Sequence, residues 1–248
     1  MADYQTAVRR DSAYAPAIDA GLRAHMNQIY GLMGVAMIVT GVVAYVFGND
    51  LLAAMQGQQP AIVPVGVLAT LFSSPMIYVI MFSPLAIVFL FSATLHRMST
   101  GAAQGVFWLF AALMGLSIST IFVRFTGISI AQTFFTTAIA FLGLSLYGYT
   151  TKKDLSGFGT FLIMGVIGLI VASIINIFVG SSALQFAVSV LGLLIFAGLT
   201  AYDTQRLKNE YVQMAAAGFG MREMGASAIS GARSLYLNFL NMFMFLLQ

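Results

Sequence analysis

Apolar residues come along this chain in runs of about 20, the length that carries a helix across the roughly 30 Å hydrocarbon core of a bilayer. Seven such windows predict seven transmembrane helices, at about 28–47, 75–95, 104–123, 129–149, 160–179, 183–203 and 234–248. Only Gly180, Ser181 and Ser182 separate the fifth from the sixth, so these two are expected to form a tight antiparallel hairpin. The seventh is short for a span, which predicts either a helix tilted against a thin rim or a native chain that runs beyond Gln248. Before the first window, residues 1–26 are polar and mix Arg9, Arg10 and Arg23 with Asp3, Asp11 and Asp19, the pattern of a short tail ahead of a membrane domain at 27–248. The tail's length and its acids do not fit a cleaved signal peptide. Residues 48–74 read as the main external loop, with no recognisable motif.

Composition carries the same picture further. Hydrophobic residues make up 60% of the 248 and charged residues 8%, with a mean hydropathy of +0.92. Water-soluble domains of this size need more polar surface, whereas lipid accepts apolar side chains on the outside of every helix. The class is an all-α, multi-pass membrane protein. Cysteine is absent, which removes thiolate metal sites and cysteine nucleophiles. The net charge of +3 does not mark a nucleic-acid binder, because the basic residues stand between apolar runs rather than in one patch with aromatics. All of the 11 Lys and Arg except Arg124 fall on one side of the seven windows. By the positive-inside rule the amino terminus is cytoplasmic and, with an odd helix count, the carboxyl terminus is outside.

The candidate chemistry follows from that topology. The stretch Ala201 to Lys208 reads AYDTQRLK and sets a carboxylate, Asp203, at the edge of a greasy helix. An ionisable group at such a boundary is costly, and so points to a pairing or transport role. Asn238 and Asn241 are three apart in the seventh window and share a face, with Asn238 at a depth comparable to Asp203. The Asn238 amide is a suitable donor to the Asp203 carboxylate. Arg206 and Arg97 lie at the same end and can pair with it. The plainer alternatives stay open: Asp203 as a cap or ion-pair partner of Arg206, the two asparagines as interhelical glue, and Arg97 as a topology charge. Gly168, Ala172 and Asn176 recur every four residues and predict a small packing face on the fifth helix, with Asn176 bonding across it. Ser117, Ser119 and Thr120 are expected to bond carbonyls of the preceding turn, and Pro84 permits a kink.

Catalysis finds no pattern in the sequence. His25 and His96 lack metal-ligand spacing, no second intramembrane acid accompanies Asp203, and phosphate-binding loops are absent. The expectation is a protein without enzymatic activity or resident cofactor.

Several stretches together resemble the Bax inhibitor-1 family of seven-helix membrane proteins, in its bacterial inner-membrane branch. They are Met26 to Tyr45, Gly115 to Gly127, LSLYGYTTKKDLS at 144–156, AYDTQRLK at 201–208 and Leu235 to Asn238. The resemblance implies a seven-helix bundle in which an Asp of the sixth helix meets an Asp of the seventh, the two sharing a proton. It also implies a pH-responsive calcium leak. Asp203 matches the first of these positions, but Asn238 stands at the second. Two close carboxylates cannot both be charged cheaply, and that repulsion makes the pair a switch. Asn238 removes it, so any pH response is expected to be weaker or displaced to more acid values.

Two functional readings result. In the first, calcium is the permeant ion and Asp203, with Asn238, Arg97 and Arg206, forms a plug at the cytoplasmic side. Asp203 is then a weak calcium ligand, since calcium takes six or more oxygens. In the second, the protein is a non-conducting regulator that binds a membrane protease or another membrane protein through its tail and the basic connection from Thr204 to Arg233. In both, the lipid bilayer is a partner and nucleic acid is not.

Overall fold

The structure is a computed structural model that describes the backbone of residues 2–94 and 98–248 and the side chains of residues 19–89 and 98–248. Helices form every element among them: α1 (Ala2–Met55), α2 (Val65–Phe72), α3 (Met76–Thr94), α4 (Thr100–Ile118), α5 (Ile121–Arg124), α6 (Gly127–Thr150), α7 (Ser156–Val179), α8 (Ser182–Ala216) and α9 (Met221–Leu247). Arg97 lies outside the described residues.

By length and apolarity five helical stretches can cross a membrane: α1 from Asp19, α4 with α5, α6, α7 and α8. The pair α2 and α3, bent by 69°, makes a sixth if it counts as one span. The expected seventh window is the second half of α9, and it is not in this set. Asn238 and Asn241 interrupt its apolar run, and Arg233 stands immediately before it. α9 can carry them because it packs against α1, α4, α6 and α8 rather than standing in lipid. Ala228, Ala232, Leu235 and Tyr236 on it are fully covered.

The other side of this arrangement is an apolar exterior. Ile139, Ile177 and Phe178 are 74%, 78% and 85% exposed, which suits hydrocarbon and would be untenable in water. Burial therefore grades inward from α7, which touches chiefly α8, to α9 at the centre.

Several helices overrun their apolar windows. α8 continues to Ala216 and α9 begins at Met221, so the expected connection 204–233 is almost entirely helical. Its turn is Ala217 to Gly220, where Gly218 takes φ 74°, a left-handed conformation that favours glycine. The seventh window is the second half of the 27-residue α9. α1 likewise starts within the stretch expected to be a polar tail and runs on past 47 to Met55.

The hairpin of α7 and α8 forms as expected, and its lock is chemical. Gly180 takes φ 65° and donates its N–H to the Asn176 carbonyl at 2.8 Å. The Asn176 side chain accepts the Ser181 N–H at 3.0 Å and donates to Gln185 Oε1 at 3.1 Å. Gly168, however, is exposed, with open space where a Cβ would stand. The packing face of α7 is instead carried by Gly159 and Gly165, against Tyr202 and Ile195. Just after α4, the Ser119 hydroxyl donates to the Leu116 carbonyl at 2.7 Å, as expected.

The loop 56–64 holds a feature with no sequence motif. Asp50, near the end of α1 and 4% exposed, accepts the backbone N–H groups of Ala61, Ile62 and Val63 at 2.9, 2.9 and 2.6 Å. These charge-assisted bonds pin the loop on the helix. Asp50→Ala is expected to cost about 1.5–3 kcal/mol and to speed hydrogen exchange at those three amides. Unchanged exchange there would show that the loop holds itself.

Candidate functional site at the junction of α6, α8 and α9

The segment Ala201 to Lys208 lies inside α8, with Arg206 exposed and most of the other residues buried, and uses nearly every polar group it has to join neighbouring helices. Asp203, expected at a helix end, sits more than three turns before the end of α8. It is 7% exposed. Asn238 Nδ2 donates to its Oδ2 at 2.8 Å, and Arg206 Nη2 stands 2.9 Å from its Oδ1. Asn238, 5% exposed, lies 17 residues into α9, not one turn from its start. The sequence-predicted trio Asp203, Asn238 and Arg206 is thus brought together.

Arg206 links this buried pair to the outside. Its side chain is 44% exposed against 10% for that of Asp203. The guanidinium also lies 5.8 Å from the centre of the Tyr202 ring and 3.5 Å from Ser234 Oγ. Asn241 does not join the site, because its amide donates to the Leu237 carbonyl of its own helix at 2.8 Å.

The adjacent residues hold the carboxylate's helix in place. Gln205 makes two bonds to the loop between α6 and α7, accepting the Leu155 N–H at 2.9 Å and donating to the Lys153 carbonyl at 2.7 Å. Lys208 Nζ donates to the Tyr149 carbonyl at 2.8 Å. Thr204 donates to the Thr200 carbonyl at 2.8 Å and reaches Ser145 Oγ at 3.4 Å. Between these bonds the backbones touch, since a Cβ at Gly148 would run into the Ala201 carbonyl. In the loop, the Ser156 N–H and hydroxyl hold the exposed Asp154 carboxylate below its ordinary range.

Two polar clusters escaped sequence reasoning. Tyr236 on α9 shares a 2.7 Å hydrogen bond with Thr40 on α1, which donates to the Ala111 carbonyl on α4 at 2.8 Å. The signal was present in a lone Thr within the first apolar run and a Tyr next to Leu235. The second is His25, buried with its ring centre 5.0 Å from that of Tyr211 and its Nε2 without a hydrogen-bond partner.

Both oxygens of Asp203 therefore carry donors, and among the described residues no three His, Asp or Glu gather as metal ligands. Each oxygen of Asp203 thus already faces one donor, Asn238 on Oδ2 and Arg206 on Oδ1.

Comparison with known proteins now decides the relationship. The family described as "Inhibitor of apoptosis-promoting Bax1" matches residues 22–248. The chain belongs to the Bax inhibitor-1 family. It is 46% identical over 237 residues to an uncharacterized protein of Caulobacter vibrioides, covering 94% of this chain and 90% of that one. With the inner membrane protein YbhL of Escherichia coli the identity is 40% over 241 residues, covering 97% and 95%. An uncharacterized protein of Rickettsia prowazekii is 38% identical over 249 residues, covering 100% and 97%. Within this family the chain is a multi-pass protein of the bacterial inner membrane, by the apolar helices it shows and the location of its E. coli relative.

Proposed function

We propose that the protein is a calcium-permeable leak of the bacterial inner membrane, held closed by the contact of Asp203 with Asn238 and Arg206. The amino terminus faces the cytoplasm. The observation that carries this reading is a buried carboxylate in a membrane bundle whose two donors come from different places: Asn238 from the central helix α9 and Arg206 from the solvated flank of α8. Buried intramembrane charges are expensive and mark pathways or switches by default. Losing the charge frees Arg206 to swing outward and leaves Asn238 a neutral carbonyl in place of a carboxylate, so the bond between α8 and α9 weakens.

The leak is a property of the bundle and uses no catalytic group or cofactor, with calcium as cargo. Because Asn238 replaces a second acid, Asp203 has no carboxylate with which to share a proton, and its charge is held by neutral and cationic donors alone. pH is therefore a weaker control here than in a two-carboxylate relative.

Calcium efflux from proteoliposomes tests the reading. Asp203→Asn is expected to raise flux over the native protein at neutral pH by about tenfold or more, since about 1.4 kcal/mol of lost closed-state stabilisation is one factor of ten. No flux from the purified native protein or from Asp203→Asn would remove the leak and favour the regulator reading, in which deletion of residues 1–20 abolishes partner binding.

A further inference from the structure

α1 and α6 both pack on α8 or α9, but scarcely on each other. The gap between them is a continuous groove. At one end it widens into a cavity of about 500 Å³ lined by Arg23, Asn27, Tyr30, Ser145 and Tyr149. Towards the membrane interior it continues as a second cavity of about 560 Å³ that shares Tyr30 and Leu142 with the first. This second part is almost wholly apolar, with Phe239 of α9 and Phe141 of α6 in its wall.

We propose that this groove seats an acyl chain of an anionic membrane phospholipid, with the lipid phosphate at Arg23. The polarity gradient matches such a molecule, charged at the mouth and apolar beyond Tyr30. Arg23 is exposed and has no ion-pair partner among the described residues, so its charge is available to a headgroup. The dimensions also agree. Arg23 to Gly34 spans about 16 Å of helix, close to half of the roughly 30 Å hydrocarbon layer that one leaflet's chains fill.

The glycines of α1 supply an independent observation. Gly21 and Gly48 are required by close neighbours, Tyr211 and the backbone at Ser119. Gly34 and Gly41 line the groove, yet a Cβ at either would meet nothing within 4 Å. The entropic penalty of glycine in a helix is not offset there by contact with the protein. At Gly34 and Gly41 the missing side chains leave room along the channel, as at Gly31 they do outside it.

Native mass spectrometry of the full-length protein, taken from nanodiscs of mixed phosphatidylcholine and phosphatidylglycerol, tests the assignment. The native protein is expected to retain one phosphatidylglycerol in preference to phosphatidylcholine by about fivefold, the factor expected for one basic residue at the headgroup. Gly34→Leu puts a bulky side chain into the channel from a position where the first added carbon meets nothing within 4 Å, and is expected to abolish retention while the melting temperature changes little. Arg23→Gln is expected to erase the headgroup preference, and it carries the test should Gly34→Leu fail to fold. Equal retention of the two lipids by the native protein, or a preference that survives Arg23→Gln, would overturn the proposal. So would retention that persists in Gly34→Leu, or cross-linking of two copies through residues 34 and 41.

Discussion

Gly148→Ala is expected to destabilise the protein by about 1–3 kcal/mol, with a clear drop in its melting temperature in detergent. The Cβ at this position would enter the backbone of Ala201, on the turn that carries Asp203. Backbone cannot turn aside as a flexible side chain can, so α6 must move away from α8. That movement strains the bonds made by Lys208 to Tyr149 and by Gln205 to the α6–α7 loop. Gly168→Ala is the control. It too lies within a helix, but has open space around it, and it is expected to be neutral or to stabilise by about 0.4–1 kcal/mol through the chain entropy of the unfolded state. Equal effects at the two positions would mean that helix propensity, and not the contact of α6 with α8, decides the outcome.

Asn238→Leu is expected to cost about 1.5–3 kcal/mol, the range for a hydrogen bond to a charged group. Leucine matches asparagine in reach and keeps α9 apolar, so the loss isolates the 2.8 Å bond to Asp203. Asn241→Leu sits one turn on, where the amide bonds only its own helix. Its effect is expected to stay within about 0.5 kcal/mol, as for substitutions away from such features. Comparing the two variants by unfolding in mixed detergent checks this. A loss at 241 as large as that at 238 would mean that amides on α9 act as general interhelical glue, with no special bond to the carboxylate.

The meeting of Asp203, Asn238 and Arg206 was legible in the sequence because it rests on two regularities, helical spacing within α8 and the shared depth of facing positions in a bilayer. The α7–α8 hairpin was legible for a similar reason, since three polar residues between two apolar runs leave no other path. Helix ends were not. Hydropathy reports contact with lipid, whereas a helix continues through charged residues as long as its backbone bonds are made, as α8 does from Asp203 to Ala216. The central place of α9 was hidden by the same cause, since Arg233 and its two asparagines lower its apolarity while its neighbours shield it.

Faces were harder to read than positions. A four-residue repeat of small side chains picks a stripe on α7, but several stripes exist, and the one that packs passes through Gly159 and Gly165 rather than Gly168. Asp50 shows a further limit. Its partners are three backbone N–H groups 11 to 13 residues away, and backbone groups leave no trace in residue identity.

The distinctive chemical claim is that a neutral amide occupies the place of a second acid, so that Asp203 is fastened rather than poised on a shared proton. Calcium efflux as a function of pH, from proteoliposomes of the native protein and of Asn238→Asp, measures this directly. The account predicts no transition in the native protein between about pH 6 and 8 and a new one in Asn238→Asp, where two carboxylates at hydrogen-bonding distance must share a proton. A native transition near neutral pH that Asn238→Asp leaves unchanged would contradict it.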